Sequence, residues 1–496
     1  MEECRGVVSV FPDSSLELHT TRSWEFLRSQ DAFRIINKKA TTTTTTTTIS
    51  PPYASNFLSG DHDTIIGMID TGIWPEASSF MPTQRMRQTP TRWKGKCLGG
   101  KNFSCNWKVI GARFYDDPLH PGRVTSARDM YGHGMLTSSI AAGMPVSGAS
   151  YYGLAKGTAI GGSPNSRIAM YCIAGADYTT LSAILKSIDD AIHDGVDVIS
   201  IPYRYPENVD FLANPVYIAA FHAAARGVTV VGSAGNQGPD PESVTNNAPW
   251  ILSVGATTID RDLEADILFD EKTSIKGGGI NFCRLSKSYP LIDAVRAATN
   301  PRDPYNASHC FPGSLDPKKV KGKLLLCEND DNNYETTEKF ESLKKLGVIG
   351  MIAISGYERQ EQLFYGTNPI AAVTERDGSW IRTYINSKRK TLAKILPTTT
   401  ILNYTPAPVV AEFSSRGPPP GIQNLIKPDV VAPGVGILAA YPPFDYYKIS
   451  GMDPPDFIIL WGTSLSCAHA VGLAALIKSQ HPTWSSSAII SAIMTT

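Results

Sequence analysis

The sequence has no surplus of charge: 46 Lys plus Arg offset 46 Asp plus Glu over 496 residues. That balance excludes a broadly polybasic protein built to coat nucleic acid. No apolar run reaches the roughly 18 residues of a membrane span. The eight cysteines are too few for a disulfide scaffold of this length. They form no CxxC pair and no His/Cys cluster with zinc-ligand spacing. A nucleotide-binding glycine loop and an acidic EF-hand loop are also missing, so no cofactor and no metal are expected. The N-terminus, Met1-Glu2-Glu3-Cys4-Arg5, has no basic segment followed by an apolar stretch, so the chain as written shows no signal peptide.

What is present is an ordinary globular composition, with 42 % apolar and 19 % charged residues. At ~150 residues per domain the length suggests two to four domains. Residues 41–48 are eight consecutive threonines, which cannot bury a face and read as a loop. From Thr64 short apolar runs alternate with helical periodicity. Thr64–Ile69, Ile168–Ile173, Val196–Ile201, Val228–Val231 and Trp250–Val254 read as buried strands. Leu181 to Ile192 repeats at helical spacing up to Gly195, and Pro215 to Arg226 reads as a second helix. This order predicts a doubly wound, mostly parallel α/β sheet, with functional residues at the carboxyl ends of strands. The pattern breaks near 260. Residues 285–395 read as a separate small α/β unit, with strands Lys323–Cys327 and Val348–Ile354 around a helix from Thr336. Beyond it, Gly462-Thr463-Ser464 opens a helix that is apolar almost all round, hence buried, and Ser485–Met494 reads as another.

Four segments carry chemistry. Asp70-Thr71-Gly72 puts a carboxylate at a strand end. Aspartic proteases use a similar turn, but they need two carboxylates sharing a proton, and no second Asp-Ser/Thr-Gly occurs. Asp129-Met130-Tyr131-Gly132-His133-Gly134 frames an imidazole between glycines. Ser464 stands where free N–H groups and the helix dipole meet a hydroxyl; its plainer reading is an N-cap. Ser233-Ala234-Gly235-Asn236 offers an amide able to hold an oxyanion. Asp, His and Ser on a parallel α/β layout are the parts for nucleophilic acyl transfer. Cys97/Cys105 and Cys310/Cys327 have spacings that suit loop-closing bridges, which would imply an oxidising compartment. Asn102, Asn306 and Asn403 open Asn-x-Ser/Thr sequons.

On these motifs the sequence resembles the subtilisin-like serine proteases, above all their plant branch. The matching residues are Ile69-Asp-Thr-Gly-Ile-Trp-Pro-Glu76, Gly132-His-Gly134, Asn236, Phe413-Ser-Ser-Arg-Gly-Pro418 and Gly462-Thr-Ser-Leu-Ser-Cys-Ala-His469. The resemblance implies a serine endopeptidase acting on polypeptides. Ser464 is its nucleophile, His133 its base and Asp70 the partner of His133, with Asn236 and the Ser464 N–H as the oxyanion hole. It implies a secreted protein inhibited by its own propeptide, of which residues 1–19 resemble the tail, with cleavage before Thr20. The catalytic domain would span 20–284 and 396–496, around a protease-associated insert at 285–395. A longer propeptide and a C-terminal fibronectin-like domain, usual in that branch, have no counterpart here. Ile201-Pro202-Tyr203-Arg204 stands where the family has Ser-Leu-Gly-Gly, the segment that pairs with the substrate backbone. Proline removes an N–H donor there. That departure motivates an alternative reading, a non-catalytic relative acting as a binding protein or an inactive fragment.

Overall fold

The structure, a computed structural model, describes residues 22–29, 63–86, 88–116, 121–122, 124–173, 180–204, 211, 214–270, 273–329, 333–356, 364–387 and 390–495. The expected propeptide tail, its cleavage point before Thr20 and the threonine tract lie outside the described residues.

Seven parallel strands form the central sheet: β1 (Ile65–Asp70), β2 (Val109–Phe114), β3 (Arg167–Cys172), β4 (Val198–Ile201), β5 (Thr229–Ser233), β6 (Ile251–Thr257) and β7 (Val430–Pro433). Their order is β2-β3-β1-β4-β5-β6-β7. The strands are continuous apolar runs because both faces are covered. Along β1, Ile66 and Met68 join one core and Ile65 and Ile69 the other. Helices α3 (Leu181–Asp194) and α4 (Pro215–Ala225) cover the second core. Side-chain caps start both helices. Thr180 Oγ1 accepts from the Ala183 N–H, and Asn214 Oδ1 accepts from the Val216 N–H. The first core is covered by α2 (His133–Ala142) and α5 (Thr463–Gln480), both buried along nearly their whole length. A terminal helix, α6 (Ser486–Thr495), follows.

Strand β1 lies between β3 and β4, so the winding reverses direction there. That is the topological switch point, where open α/β sheets leave a crevice beyond the strand ends. Asp70 is the last residue of β1.

Residues 267–395 build a second seven-stranded sheet, with helices Thr336–Lys345 and Glu375–Ser387 and its own cores. It reaches back to Ile267–Phe269 and Thr273–Ile275, upstream of the border at 285 read from the sequence. Those two strands are three residues each and pair antiparallel, too short to show a period. They belong to this unit because Ile267–Phe269 also pairs with Leu392–Ile395 at its far end.

An N-terminal helix, α1 (Ser23–Ser29), docks on the first layer. Trp24 is buried there, with its ring 4.9 Å from His469 of α5, and its Nε1 donates to the Ile140 carbonyl. Among the described residues no helix is long and apolar enough to cross a membrane.

Candidate functional site

The site is assembled at the carboxyl end of β1. Asp70 is fully buried, and its Oδ1 lies 2.7 Å from Nδ1 of His133. The Thr71 N–H also donates to Oδ1, and the Thr137 hydroxyl donates to Oδ2, each at 2.7 Å. Three donors thus hold a carboxylate that water cannot reach.

His133 is the first residue of α2, and 34 % of its side chain is exposed. Burial pulls its basicity down. The Asp70 charge and hydrogen bond, with a further contribution from Asp129, outweigh that and raise it above the ordinary histidine value. The helix reaches this position through a close approach. A Cβ on Gly134 would sit 2.2 Å from the Gly72 carbonyl oxygen, so only glycine lets α2 start against the loop after β1.

The N-cap residue of α2 is Gly132, which has no side chain to satisfy the first free N–H groups. Neighbouring segments do so instead. Thr71 Oγ1 accepts from the Gly134 N–H at 2.8 Å, and Asp129 Oδ2 accepts from the Met135 N–H at 2.9 Å. Asp129 Oδ1 accepts from the Thr71 hydroxyl and from the Tyr131 and Gly132 N–H groups. Thr71, Asp129 and Thr137 were not singled out by the sequence reading. The available signal was an Asp followed by Gly three residues on, a side chain set to bind the backbone just ahead of it.

Ser464 is the second residue of α5 and half-buried. It is not the N-cap of the plainer reading. Gly462 holds that place, and the Ser464 hydroxyl donates to the Pro202 carbonyl at 3.1 Å. Thr463 fixes Asn236 instead, its N–H and hydroxyl donating to Asn236 Oδ1 at 3.0 and 2.8 Å. The amide nitrogen is left on the other side. Gly462 has φ +146°. A Cβ there would lie 3.6 Å from Asn236 Nδ2 and 3.9 Å from the Ser464 nitrogen. Both nitrogens therefore lie within ordinary contact distance of one point beside Gly462.

The neighbouring segment is less regular. The Ile201 side chain is fully buried in the core, Pro202 is buried, Tyr203 is half-buried and Arg204 is exposed. Asn246 Nδ2 donates to the Tyr203 carbonyl at 2.7 Å, and the Tyr203 ring is 6.1 Å from that of His133.

Away from the site, Cys97–Cys105 and Cys310–Cys327 are disulfide-bonded, and Cys172, Cys283 and Cys467 are free thiols. Asn102 and Asn403 are exposed. Asn306 is half-buried in a short helix, and its amide donates to Asp303.

A buried carboxylate paired with an imidazole at one helix start, and a hydroxyl at the start of a second helix, lie on the frame of a parallel α/β sheet. The family follows from comparison. The model of the Subtilase family matches residues 61–496, and the chain belongs to that family. It is 44 % identical over 499 residues to a CO(2)-response secreted protease of Arabidopsis thaliana, covering 99 % of this chain and 63 % of that protein. It is also 44 % identical over 504 residues to subtilisin-like protease SBT5.1 of the same plant, with the same two coverages. The chain thus spans about 63 % of the length of these curated relatives.

Proposed function

We propose that this chain is a serine endopeptidase. The observation that carries the reading is the buried Asp70–His133 pair at the end of β1, beside a segment in which Pro202 accepts from the Ser464 hydroxyl and the Tyr203 ring is 6.1 Å from that of His133. With His133 Nδ1–H donating to Asp70, Nε2 is the nitrogen left to act as base. The Ser464 hydroxyl turns from the Pro202 carbonyl to His133 and gives up its proton as Oγ bonds to the substrate carbonyl carbon. The carbonyl electron pair moves onto its oxygen, which the Asn236 amide and the Ser464 N–H hold. Collapse of that intermediate expels the amine, which takes the proton from His133. Water then repeats the sequence and frees Ser464.

The substrates are polypeptides, bound as an added strand beside Ile201–Arg204. The two disulfides and the exposed sequons at Asn102 and Asn403 support passage through an oxidising secretory route and an extracellular place of action. The printed name of one relative includes the word secreted. We assign the second sheet to a protease-associated insert, and residues 1–19 to an inhibitory propeptide tail removed before Thr20. Arg22, paired with Asp260, and buried Trp24 would then anchor the new N-terminus.

The test is labelling by a fluorophosphonate, which reacts with activated serines. The folded chain is expected to be labelled, and Ser464→Ala to lose both the label and several orders of magnitude in peptide turnover. A folded chain that resists the probe overturns the reading.

A further inference from the structure

Asp129 is a buried carboxylate at the site that the chemistry above leaves without a task. Its carboxylate is fully buried and makes four hydrogen bonds, all as acceptor. The donors come from two directions. The Thr71 hydroxyl belongs to the residue after Asp70, and three backbone N–H groups belong to the turn that leads into and starts α2. Its own backbone is held too, since Trp74 Nε1 donates to the Asp129 carbonyl at 2.7 Å. One carboxylate therefore ties the segment that carries Asp70 to the turn that carries His133.

We propose that Asp129 is a positioning residue for the reaction assigned above, clamping the start of α2 onto the end of β1 so that His133 stays registered on Asp70. The proposal rests on the serine-protease reading for its consequence in turnover, and on geometry alone for its consequence at His133.

The chemistry of the cluster sets the charge state the clamp needs. Three of the four partners are backbone N–H groups with no accepting capacity, so a proton on Asp129 must displace one of them or turn the Thr71 hydroxyl round. Burial pushes this carboxyl up to about 6, against the pull of its backbone donors. The titratable groups facing it are Asp70 from β1, His133 from α2 and Tyr441 from the loop after the strand Ile437–Ala440. The adjacent Arg128 turns away and lies over Trp74 while pairing with Glu76. Asp129 therefore acts on His133 in two ways, through the turn it holds and through its negative charge.

The variant that separates these from mere packing is Asp129→Asn. It keeps the volume and one acceptor oxygen but sets an NH2 against an N–H and removes the charge. In the full chain, the expected result is a ten- to hundredfold fall in kcat with KM within about twofold, since the substrate-binding segment is untouched. The His133 titration midpoint should also fall, by on the order of one pH unit. It is read by NMR on histidine-labelled protein, with His133→Ala identifying the resonance. A folded Asp129→Asn whose His133 midpoint matches the parent overturns the proposal, whether or not turnover drops. If Asp129→Asn does not fold, Thr71→Val removes the hydroxyl of the clamp at constant shape. An unchanged kcat and midpoint there overturn the proposal equally. Failure of the protease reading shows differently, as a parent chain that is never labelled at Ser464.

Discussion

The two halves of the site are built on opposite plans. Around Asp70, His133, Thr71, Asp129 and Thr137 the carboxylates are buried and every carboxylate oxygen has a donor. Around Ser464, Asn236, Tyr203 and Arg204 the side chains are half-buried or exposed, and the Asn236 amide nitrogen and the Ser464 nitrogen lie beside Gly462. On the proposed reading the closed half handles a proton and must hold its geometry, whereas the open half meets a carbonyl oxygen and a peptide strand and keeps donors for them. Buried polar groups without partners are costly, and the open half is tolerated because it stays near water.

The sharpest way to break this contrast is to close the open half. Asn236→Ala removes one of the two converging donors and is expected to lower kcat about 10²- to 10³-fold with little change in KM. Gly462→Ala tests the same space from the other side. Its methyl would lie 3.6 Å from Asn236 Nδ2 and 3.9 Å from the Ser464 nitrogen, where the oxyanion is to bind. It also forces a side chain onto a φ of +146°. Steady-state kinetics on one peptide, with melting temperature as a control for folding, check both. A folded Asn236→Ala of parental kcat would remove the assignment of this space to an oxyanion.

The closed plan continues along α5, and there it makes a statement about pH. Ser464 is half-buried at the helix start, whereas His469 is almost wholly buried and packed on Trp24. His469 Nδ1 is 2.8 Å from the Leu465 carbonyl, and Nε2 has no hydrogen-bond partner among the described residues. Burial lowers its pKa from 6.5 to about 4. The unfolded chain therefore takes up this proton first. The stability contributed by neutral His469 is complete above pH 6.5 and is lost as pH falls from 6.5 towards 4, about 3 kcal/mol in all. His133 titrates in the opposite sense, so the comparison must be with a variant of His469 alone. Urea unfolding of parent and His469→Gln from pH 7.5 to 4 should show a shallower acid loss in the variant. Parallel curves would count against a buried neutral imidazole.

The fold was legible in the sequence for the reason that makes it stable. Strands covered on both faces are unbroken apolar runs, and helices such as Leu181–Asp194 carry caps and a stripe that can be counted. Asp70, His133, Asn236 and Ser464 were singled out from the sequence because each sits beside glycine or at a strand or helix end. Asp129 and Thr137 were not. Asp129 carried only the faint signal of a Gly three residues on, and what identifies Thr137 is the distance of its Oγ1 from Asp70 Oδ2, which sequence spacing does not carry. The reach of the second sheet back to Ile267 has a related reason. Ile267–Phe269 joins that sheet by pairing with residues more than a hundred positions later.

The smallest effect is expected where this sequence departs from its relatives' pattern. Pro202 contributes no N–H to the strand beside which, on the proposed reading, a substrate would lie, and the exposed Arg204 lacks the backbone freedom of a glycine. The Tyr203 carbonyl is already held by Asn246, so backbone donors are what the segment has left to offer. Restoring one hydrogen bond is worth on the order of 0.5–1.5 kcal/mol, roughly two- to twelvefold in binding. The combined variant Pro202→Ser, Tyr203→Leu, Arg204→Gly should raise kcat/KM on a mixed peptide library by about that factor, while leaving His133 and its carboxylates as they are. The gain should appear mainly in KM, because a uniformly stronger strand pairing stabilises bound substrate and transition state alike. An unchanged or lower kcat/KM in a variant of parental melting temperature would show that the open half does not draw its affinity from this edge.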